Sequence, residues 1–499
     1  MDHGVLIGVD LGTTVLKAAA FDAATGELLA RASRRIPVEV RAEGLREQDT
    51  AAVDRSLERA VATLRQALGD AWNRVAGVGI ASQGGSTIIA ERESGRPLTP
   101  MILWNDARGQ AFAKEVAERF PASYWRRFAL REAAPEGIGR MMWLLARAPE
   151  LLSEPNIHIG AGEYLFHKLT GVWRQEAGSA IQIGVYDAAR GELDETPLTS
   201  LGLPLAFTAP LRRGHETSPL WASGAEFLGL REGIPVAGPY IDQEAGYLGA
   251  AAAIDGPLQL SLGTAWVGNF TLPNGMHGES PYQLVLDAAT ESGRFVVQPL
   301  LTGNTGWDWA LEQFLGVKGE DAFAKAEELF AESLLPPPGL CVVPWFSQPS
   351  PFAPDAYGAG VFAGVNPQTC GADLLRAVAL GMACEATRVF AGLREIGAIG
   401  SVVLTGGGRN AGYLRTMLAG LFAPLRVTYE TDDDLAVTRG ALTAFDGAAK
   451  RCRLEEVPLP NASERRGLAE AYAAYTSVFD RLYGAEINGR PYHVEVRGE

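Results

Sequence analysis

The chain has few cysteines and few histidines, and it lacks long apolar runs. Its four cysteines are widely spaced among 499 residues and form no C-x-x-C pair, which excludes a disulfide framework or a zinc site. The six histidines are scattered and no G-x-S-x-G segment occurs, so nothing points to a serine hydrolase. No apolar run reaches about 18 residues, so we expect no membrane span.

Positive charge is also scarce, since 44 basic side chains face 59 acidic ones and the formal net charge is −15. This balance argues against nucleic acid as a partner, because phosphate backbones call for a basic surface. No basic, then apolar, leader opens the sequence, and the cysteines suit reduced thiols, so we expect a cytoplasmic protein. A G-x-x-x-x-G-K-[ST] loop is absent as well, which excludes a P-loop kinase.

What the chain does contain is one short pattern of strand, Gly-Thr turn and strand, which occurs twice about half the chain apart. The turn residues are Gly12, Thr13 and Thr14 in the first copy and Gly263 and Thr264 in the second. Such a turn presents backbone N–H groups and hydroxyls to one point, which suits an anionic oxygen. Two such turns facing each other would hold the phosphates of a nucleotide from both sides.

Strand-like and helical segments alternate, which predicts an α/β fold. The spacing of apolar residues predicts helices over 50–68 and 374–393, and small or branched apolar runs predict strands over 75–82 and 401–405. A chain of this length exceeds what one core supports, so we expect two domains. The repeat places the boundary near residues 240–255.

Two aspartates occupy strand ends where a carboxylate could serve phosphoryl transfer. Asp10 immediately precedes the first Gly-Thr turn, where phosphate would repel it unless a cation such as Mg²⁺ stood between them. Asp242 follows an apolar strand and precedes a run of small residues, so it could take the proton of a substrate hydroxyl. The structural alternatives are a turn-capping aspartate for Asp10 and a helix N-cap for Asp242.

A third glycine-rich segment, residues 405–411, follows the predicted strand 401–405. Its three glycines would let the backbone lie flat against a planar base or a ribose. Gly406, Gly408 and Ala411 also fit the G-x-G-x-x-A dinucleotide fingerprint. The unit lies at the far end of the chain, however, and a Rossmann fold leaves the twin Gly-Thr turns unexplained. An NAD(P)-dependent oxidoreductase is therefore kept as an alternative.

The segment after residues 101–103 is rich in groups that suit a polyhydroxylated ligand. Trp104 offers a flat face to C–H groups, and Asp106 and Arg108 offer polar atoms to hydroxyls. A surface turn with an Asp–Arg ion pair explains this segment about as well. Gln83, which follows a predicted strand, is a weaker candidate because such a glutamine is often only hydrogen-bonded structure.

Taken in order along nearly the whole chain, these segments resemble the FGGY carbohydrate kinases, which share the ATPase core of actin, Hsp70 and hexokinase. The resemblance is carried by residues 10–14, 103–108, 163–171, Asp242, 262–264, 376–381, 405–408 and 440–441. It implies two RNase H-like α/β domains with a cleft between them. Residues 1–243 would bind the sugar and residues 244–499 would bind ATP.

The resemblance also implies a role for each matching residue. Asp242 would be the catalytic base, and Asp10 would be the carboxylate associated with Mg²⁺. The other implied ligands are Gly12, Thr13, Thr14, Gly263 and Thr264 for the phosphates of ATP, Gly407, Gly408 and Asn410 for its adenosine, and Gln83, Trp104, Asp106, Arg108, Asp242 and Gln243 for the substrate.

The implied reaction is the ATP- and Mg²⁺-dependent phosphorylation of a small sugar, polyol or sugar acid. Residues 103–108 are most like those of xylulokinases, so a pentulose such as D-xylulose is the expected acceptor. The xylulokinase pattern Gly-Gln-Met-His-Gly lacks its Met and His at residues 82–86, and the family's Gly-Glu-Arg-x-Pro stretch is replaced at 346–351. Residues 242–245 are closer to glycerol kinases, so glycerol, erythritol and gluconate are alternative acceptors. A nucleotide switch like actin or Hsp70 is the non-enzymatic alternative, and a homodimer is left open.

Overall fold

The structure, a computed structural model, forms two compact units. Unit 1 comprises Met1–Ala253, Leu284–Val296 and Leu435–Cys452, and unit 2 comprises Ile254–Gln283, Val297–Asp434 and Arg453–Glu499. The residues described are 4–41, 44–121, 123–125, 135–188, 190–272, 276–279, 284–286, 294–300, 302–316, 319–346, 360–395, 398–431, 434–446, 451–483, 486–487, 490–491 and 495–498. The division at residues 243 and 244 stays a prediction.

The main elements of the two units are eleven strands and nine helices. The strands are β1 (Val5–Leu11), β2 (Val15–Asp22), β3 (Leu28–Arg35), β4 (Val75–Ser82), β5 (Thr217–Pro219), β6 (Pro235–Ile241), β7 (Pro257–Leu262), β8 (Trp266–Leu272), β9 (Ser401–Thr405), β10 (Arg426–Glu430) and β11 (Leu454–Glu456). The helices are α1 (Thr50–Leu68), α2 (Ala161–Thr170), α3 (Asp242–Ala251), α4 (Asn304–Leu315), α5 (Glu320–Glu332), α6 (Gly371–Val389), α7 (Gly412–Phe422), α8 (Ala436–Gly440) and α9 (Ala462–Tyr483).

Shorter elements complete the described part of the chain. The remaining strands are Glu39–Val40, Arg46–Gln48, Ile88–Glu91, Met101–Ile102, Asn156–Ile159, Tyr186–Asp187, Glu192–Leu193, Met276–Glu279, Leu284–Leu286, Arg294–Pro299, Cys341–Val343, Val361–Ala363, Glu486–Ile487, Arg490–Pro491 and Glu495–Gly498. The remaining helices are Ala113–Arg119, Glu136–Arg147, Ala177–Gln182, Thr196–Thr199, Ala222–Leu228 and Ala391–Glu395, with 3₁₀ turns at Gly69–Arg74, Ala107–Phe112, Pro149–Leu151, Leu205–Phe207 and Gly407–Asn410.

The sheet of unit 1 has the strand order β5-β6-β4-β1-β2-β3. Strands β1, β4 and β6 are parallel, whereas β2 runs antiparallel to β1. Every residue of β1 is buried, which fits a central strand covered on both faces. Parallel strands end at the same edge of a sheet, so the residues that follow β1, β4 and β6 meet there.

Helix α1 packs on this sheet because its apolar residues recur at helical spacing. Val53, Leu57, Val61 and Leu64 are all buried in the core, and burying each such side chain contributes about 1.5–3 kcal/mol. The Asp49 carboxylate accepts a hydrogen bond from the Ala51 N–H, a cap typically worth about 1 kcal/mol. The helix starts two residues after the strand Arg46–Gln48, and this places Gln48 at the carboxyl edge.

Glycines explain why a late segment of the chain belongs to unit 1. Helices α3 and α8 pack so closely that a Cβ on Gly440 would overlap the carbonyl oxygen of Ala245. The buried Arg439 donates to the Gly26 carbonyl at 2.9 Å and lies over the Phe21 ring. Helix α8 therefore braces both the first hairpin and the helix that begins at Asp242.

Unit 2 repeats the plan of unit 1. Five neighbouring strands of its seven-stranded sheet follow the order β8-β7-β9-β10-β11, in which β7, β9 and β10 are parallel and β8 returns antiparallel to β7. The hairpin β7–β8 thus corresponds to the hairpin β1–β2, and each central strand pairs with a parallel strand from later in the chain. This arrangement accounts for the internal repeat of the sequence.

Most elements predicted from the sequence are confirmed. Residues 50–68, 75–82 and 401–405 form the predicted helix and strands, and the overall α/β class is correct. The predicted helix over 374–393 is instead two helices, α6 and Ala391–Glu395, because the chain turns at Phe390. Residues 347–351 of the altered FGGY stretch lie outside the described part. In the regions described, none of the helices is long and apolar enough to cross a membrane.

Candidate active site

The carboxyl edge of the unit 1 sheet gathers residues from three separate parts of the sequence. Leu11 pairs with Ser82, and Ser82 pairs with Ile241, so three neighbouring parallel strands end in one row. The next residues are Gly12, Gln83 and Asp242. The structure therefore brings the first Gly-Thr turn, the predicted substrate glutamine and the predicted base together.

The first Gly-Thr turn is tight enough to require glycine. A Cβ on Gly12 would lie 2.8 Å from the Val15 carbonyl oxygen. Asp10 is buried near the end of β1, opposite Lys17 on β2. The exposed Thr14 anchors the turn through its carbonyl, which accepts a hydrogen bond from the Ile36 N–H at 2.9 Å.

Thr13 connects the turn to the predicted substrate residues. Its hydroxyl donates to Gln83 Oε1 at 3.0 Å and accepts from the indole Nε1–H of Trp104 at 3.1 Å. Gln48 donates from Nε2 to the Thr13 carbonyl at 2.6 Å and accepts from Gln83 Nε2 at 3.2 Å. Four side chains therefore fix one another, while Trp104 stays 45% exposed and presents a free indole face.

Gln48 belongs to this site, yet no sequence motif marks it. It is buried at the end of a three-residue strand, just before α1. The one signal available is its position two residues ahead of a helix that packs on the central sheet. Its role follows from the tertiary contact with Thr13 and Gln83 alone.

Asp106 and Arg108, which the sequence predicted as substrate ligands, form a buried ion pair. Asp106 Oδ1 accepts from Arg108 Nε at 2.7 Å, and its Oδ2 accepts from the Arg46 backbone N–H at 2.6 Å. Arg108 also donates to Glu47 Oε1 at 2.7 Å. These bonds hold the loop that carries Trp104, so the geometry favours the ion-pair alternative, and direct substrate contact by either residue stays a prediction.

Arg140 ties the two substrate loops together. Its guanidinium is fully buried and donates to the carbonyls of Leu103 and Trp104, at 3.1 and 2.9 Å, and to the carbonyl of Gly85. Burial lowers the pKa of this guanidinium to about 10, so it keeps its charge at neutral pH. Because its partners are backbone carbonyls, the sequence offered no motif by which to find it.

Asp242 is the first residue of α3, and the N-cap position belongs to Ile241. Its Oδ1 accepts a hydrogen bond from the Gln243 backbone N–H at 2.8 Å. The side chain is half-buried, and this burial raises its pKa from 3.8 to about 6, although backbone N–H groups and the Lys17 charge act in the opposite direction. The carboxylate is therefore ionised at neutral pH and basic enough to accept a proton.

A buried arginine supports the strand that leads to Asp242. Arg212 donates to the Pro239 carbonyl at 2.6 Å and to Glu244 Oε1 at 2.7 Å, and its guanidinium lies 4.0 Å from the centre of the Tyr240 ring. The pairing of β6 with β4 shifts register between Ala237 and Tyr240, so these residues lack a regular ladder. Arg212 therefore links this irregular part of β6 to Glu244 in the first turn of α3.

The carboxyl edge of unit 2 holds the second Gly-Thr turn against a helix N-terminus. Asn304 at the start of α4 donates its backbone N–H to the Gly263 carbonyl at 3.1 Å, and Thr305 does the same to Thr264 at 3.3 Å. The Asn304 side chain donates to the Leu262 carbonyl and accepts from Trp266 Nε1, at 3.1 and 3.0 Å. The turn is thus rigidly placed at the edge of its sheet.

The third glycine segment packs directly on this turn. Gly406 has a left-handed φ of 77°, and a Cβ there would lie 2.9 Å from the Leu262 carbonyl carbon. A Cβ on Gly408 would lie 3.0 Å from the Leu262 Cβ. Side chains are excluded at both positions, so the ends of β7 and β9 lie close together.

A cavity of about 420 Å³ opens beside these glycines, wholly within unit 2. Its walls are largely aromatic and apolar, with a few polar groups. The lining residues used below are Trp307, Phe323, Met382, Gly407, Asn410 and Tyr413. The volume and the flat glycine backbone suit a planar base joined to a ribose. The structure therefore places Gly407, Gly408 and Asn410 together at one cavity, and their binding of adenosine stays a prediction.

The donor set also fits a magnesium ion carried by a nucleotide. Mg²⁺ keeps several waters and takes only one or two protein carboxylates besides phosphate oxygens. Asp10 supplies one carboxylate at the edge of the unit 1 sheet. Over the described ranges, no cluster of three His, Cys, Asp or Glu side chains forms an all-protein metal cage. A nucleotide-borne Mg²⁺ thus fits better than a resident metal.

Comparison with known proteins identifies the class. Residues 5–249 match the N-terminal domain of the FGGY family of carbohydrate kinases. The chain is 28% identical to a glycerol kinase of Aromatoleum aromaticum over 79% of each chain, and 26% identical to an erythritol kinase of Brucella abortus over 94% of this chain and 93% of the other. The crystal structure of a xylulose kinase from Rhodospirillum rubrum superposes with a TM-score of 0.83 at 20% identity, covering 96% and 99% of the two chains.

The chain belongs to the FGGY family of carbohydrate kinases and has the actin-like ATPase fold. It is therefore a kinase that acts on a sugar or polyol. This result confirms the family and the fold expected from the order of the motifs. It also leaves the dinucleotide fingerprint at Gly406 without support, because the segment packs on a Gly-Thr turn of a kinase fold.

Proposed function

We propose that the protein transfers the γ-phosphoryl group of ATP to a hydroxyl of a small neutral sugar or polyol. D-xylulose, a pentulose, is the first acceptor to test, and glycerol and erythritol are the alternatives. The observation that carries the proposal is the position of Asp242, whose carboxyl pKa is raised to about 6, at the same sheet edge as Gln83 and the Thr13 turn. A base, an anion-binding turn and an exposed indole are what hydroxyl phosphorylation needs.

The charges around Trp104 support a neutral acceptor. Arg108 is neutralised by Asp106 and Glu47, and the fully buried Arg140 donates to three backbone carbonyls. Neither guanidinium is left to pair with the carboxylate of a sugar acid. Gluconate is therefore the least favoured of the alternative acceptors. The hydroxyl and amide groups that do face this edge are suited to hydroxyls.

The proposed reaction is a direct displacement at the γ-phosphorus. The Asp242 carboxylate accepts the proton of the acceptor hydroxyl as the new O–P bond forms and the bond to the ADP oxygen breaks. Backbone N–H groups of the turns at Gly12 and Gly263 would bind phosphate oxygens. Asp10 would hold Mg²⁺, which would supply charge neutralisation. The products are the phosphorylated acceptor and ADP.

The nucleotide is assigned to unit 2. The cavity beside Gly407 is of the size and character expected for a base, and the turn at Gly263 lies at the same sheet edge. Aromatic side chains such as Phe323 and Tyr413 would stack on or flank the base. The acceptor is assigned to unit 1, where Trp104 is the exposed aromatic group.

A coupled ADP-release assay tests the proposal. Purified protein with ATP and Mg²⁺ is screened against D-xylulose, glycerol, erythritol and gluconate, and against no acceptor. We expect ADP release that depends on a neutral acceptor, with mass spectrometry showing a phosphorylated product. ADP release that is equal with and without every acceptor would contradict the proposal and favour a nucleotide switch. The cytoplasmic location and the homodimer remain predictions.

A further inference from the structure

The loop after Gln83 carries two glycines, and neighbouring side chains fill the space that side chains at these positions would need. Gly84 packs against the Ile241 side chain so closely that a Cβ would overlap it. Gly85 is also without a side chain, and its carbonyl is held by Arg140. Where a loop lacks side chains, a side-chain contact with a ligand must come from another element.

Gln182 occupies the space that a side chain at position 85 would need. It is the last residue of the helix Ala177–Gln182 and is half-buried. Its Cδ and Oε1 atoms lie 3.0 and 3.2 Å from the place where a Cβ on Gly85 would stand. The amide of Gln182 therefore lies against Gly85 and fills the space that a side chain at position 85 would occupy.

The Gln182 side chain makes no hydrogen bond to any residue that the structure describes. The backbone beneath it is fixed, since Gly137 of the helix Glu136–Arg147 packs on the Gln182 carbonyl. An ordered amide without an internal partner has its donor and acceptor available to a ligand.

The loop beneath the Gln182 amide is connected to the loop that carries the Trp104 indole. Arg140 donates to the carbonyls of both Gly85 and Trp104, so the loop under Gln182 and the loop that carries the indole are held to each other. A polyol lying on the Trp104 face would thus meet the polar atoms of Gln182. Such a contact can help to fix which carbinol faces Asp242.

We infer that Gln182 is a specificity-determining residue, whose amide hydrogen-bonds a hydroxyl of the acceptor. The inference rests on the proposed function and adds a residue and a ligand chemistry to it. A neutral amide both donates and accepts, which matches a hydroxyl on either side of the bond. A carboxylate would use only the donor half of the amide, whereas a polyol or ketose hydroxyl can pair with either half.

The substitution Gln182→Met tests this inference, because it keeps the length of the side chain and removes its hydrogen bonds. Loss of one hydrogen bond should raise the KM for the acceptor about three- to tenfold while leaving the KM for ATP unchanged. Gln66→Met is the matched control, since Gln66 is exposed on α1. Its kinetic constants should equal those of the wild type.

A series of deoxy acceptors distinguishes a contact with substrate from a structural effect. The acceptor that lacks the bound hydroxyl should be phosphorylated equally by the wild type and by Gln182→Met, whereas the other acceptors should distinguish the two. Gln182→Glu keeps a hydrogen-bond-accepting oxygen in the side chain but adds a negative charge. It should therefore retain activity on neutral substrates better than on gluconate. Circular dichroism confirms that each variant is folded.

The outcomes separate this inference from the proposed function. A wild type that phosphorylates no polyol or sugar defeats the proposed function itself. An active wild type whose acceptor KM values are unchanged, within twofold, in both Gln182 variants overturns only the role of Gln182. A uniform loss across all acceptors and ATP would also overturn it, because it would show a purely structural role.

Discussion

The two sheet edges share one topology but differ in chemistry. In unit 1 the edge carries polar side chains that hydrogen-bond to one another, with the hydroxyl of Thr13 between Gln83 and Trp104. In unit 2 the equivalent edge carries bare glycine backbone beside an apolar cavity of about 420 Å³. We therefore propose that the repeated strand–turn–strand unit determines where a ligand binds and that the surrounding side chains determine which ligand it is.

Close packing also has a different consequence at each of the two edges. Around Asp242, burial of the carboxyl group raises its pKa to about 6 and turns it into a better base. Around Gly406 and Gly408, close packing removes side chains and leaves the backbone exposed to a flat ligand. One edge is thus suited to proton transfer, and the other is suited to binding.

The comparison is tested most severely at Asp242. We expect Asp242→Asn to reduce turnover by about 10²–10⁴-fold, because the amide cannot accept the proton of the acceptor. Binding of ATP should stay near the wild-type value, since the nucleotide is assigned to the other unit. Steady-state kinetics and titration calorimetry with ATP measure the two effects. Turnover like that of the wild type would remove Asp242 from its role.

Trp104→Ala separates the acceptor edge from the nucleotide edge. The change removes the exposed indole platform and its hydrogen bond to the Thr13 hydroxyl. We expect kcat/KM for the acceptor to fall about 10–100-fold, from the lost apolar contact and the lost bond together. The KM for ATP should remain within twofold of the wild-type value. A rise confined to the KM for ATP would contradict the assignment.

The pKa of Asp242 predicts the acid limb of the pH profile. The carboxyl is an active base when ionised, which holds above pH 6, and it is inactive when protonated below that pH. We expect kcat/KM for the acceptor to fall about tenfold for each pH unit below about 6. An ordinary aspartate would instead retain activity down to about pH 4. Initial rates measured between pH 5 and pH 8 distinguish the two.

Phe323→Ala provides the reciprocal test in unit 2. Phe323 lines the cavity and is exposed, so its removal should weaken stacking on the base without disturbing the core. We expect the KM for ATP to rise about three- to tenfold, with the KM for the acceptor unchanged. Trp104→Ala should thus affect only the acceptor, and Phe323→Ala should affect only ATP. An equal rise of both constants in either variant would show that the two edges do not divide the ligands.

Much of the fold could be read from the sequence because local patterns determine it. The apolar residues of α1, which follows the Asp49 cap, recur at helical spacing. The small buried residues of β4 form the continuous run that is typical of a buried strand. The site residues that end strands, such as Gln83 and Asp242, were also visible, because the ends of parallel strands meet at one edge. The late segment around α8 was not assigned to unit 1, since its packing depends on Gly440 meeting a distant helix.

The supporting residues of the site could not be predicted, because each acts through tertiary contacts with backbone atoms or distant side chains. Gln48 reaches the Thr13 carbonyl, Arg140 binds three carbonyls, and Arg212 binds the Pro239 carbonyl. None of these contacts requires a fixed spacing in sequence, so none leaves a motif. The Asp106–Arg108 pair shows the converse, since a motif that suggested ligand contact is occupied by internal hydrogen bonds.

Hydrogen–deuterium exchange with and without ATP·Mg²⁺ tests the division of ligands most directly. The account predicts that nucleotide protects amides of the turn at Gly263, the start of α4 and the segment Gly407–Asn410, while the loop 103–108 gains protection only when an acceptor is added. Protection by ATP alone that is confined to residues 83–85 and 103–108, with none around Gly407, would contradict the assignment of the nucleotide to unit 2.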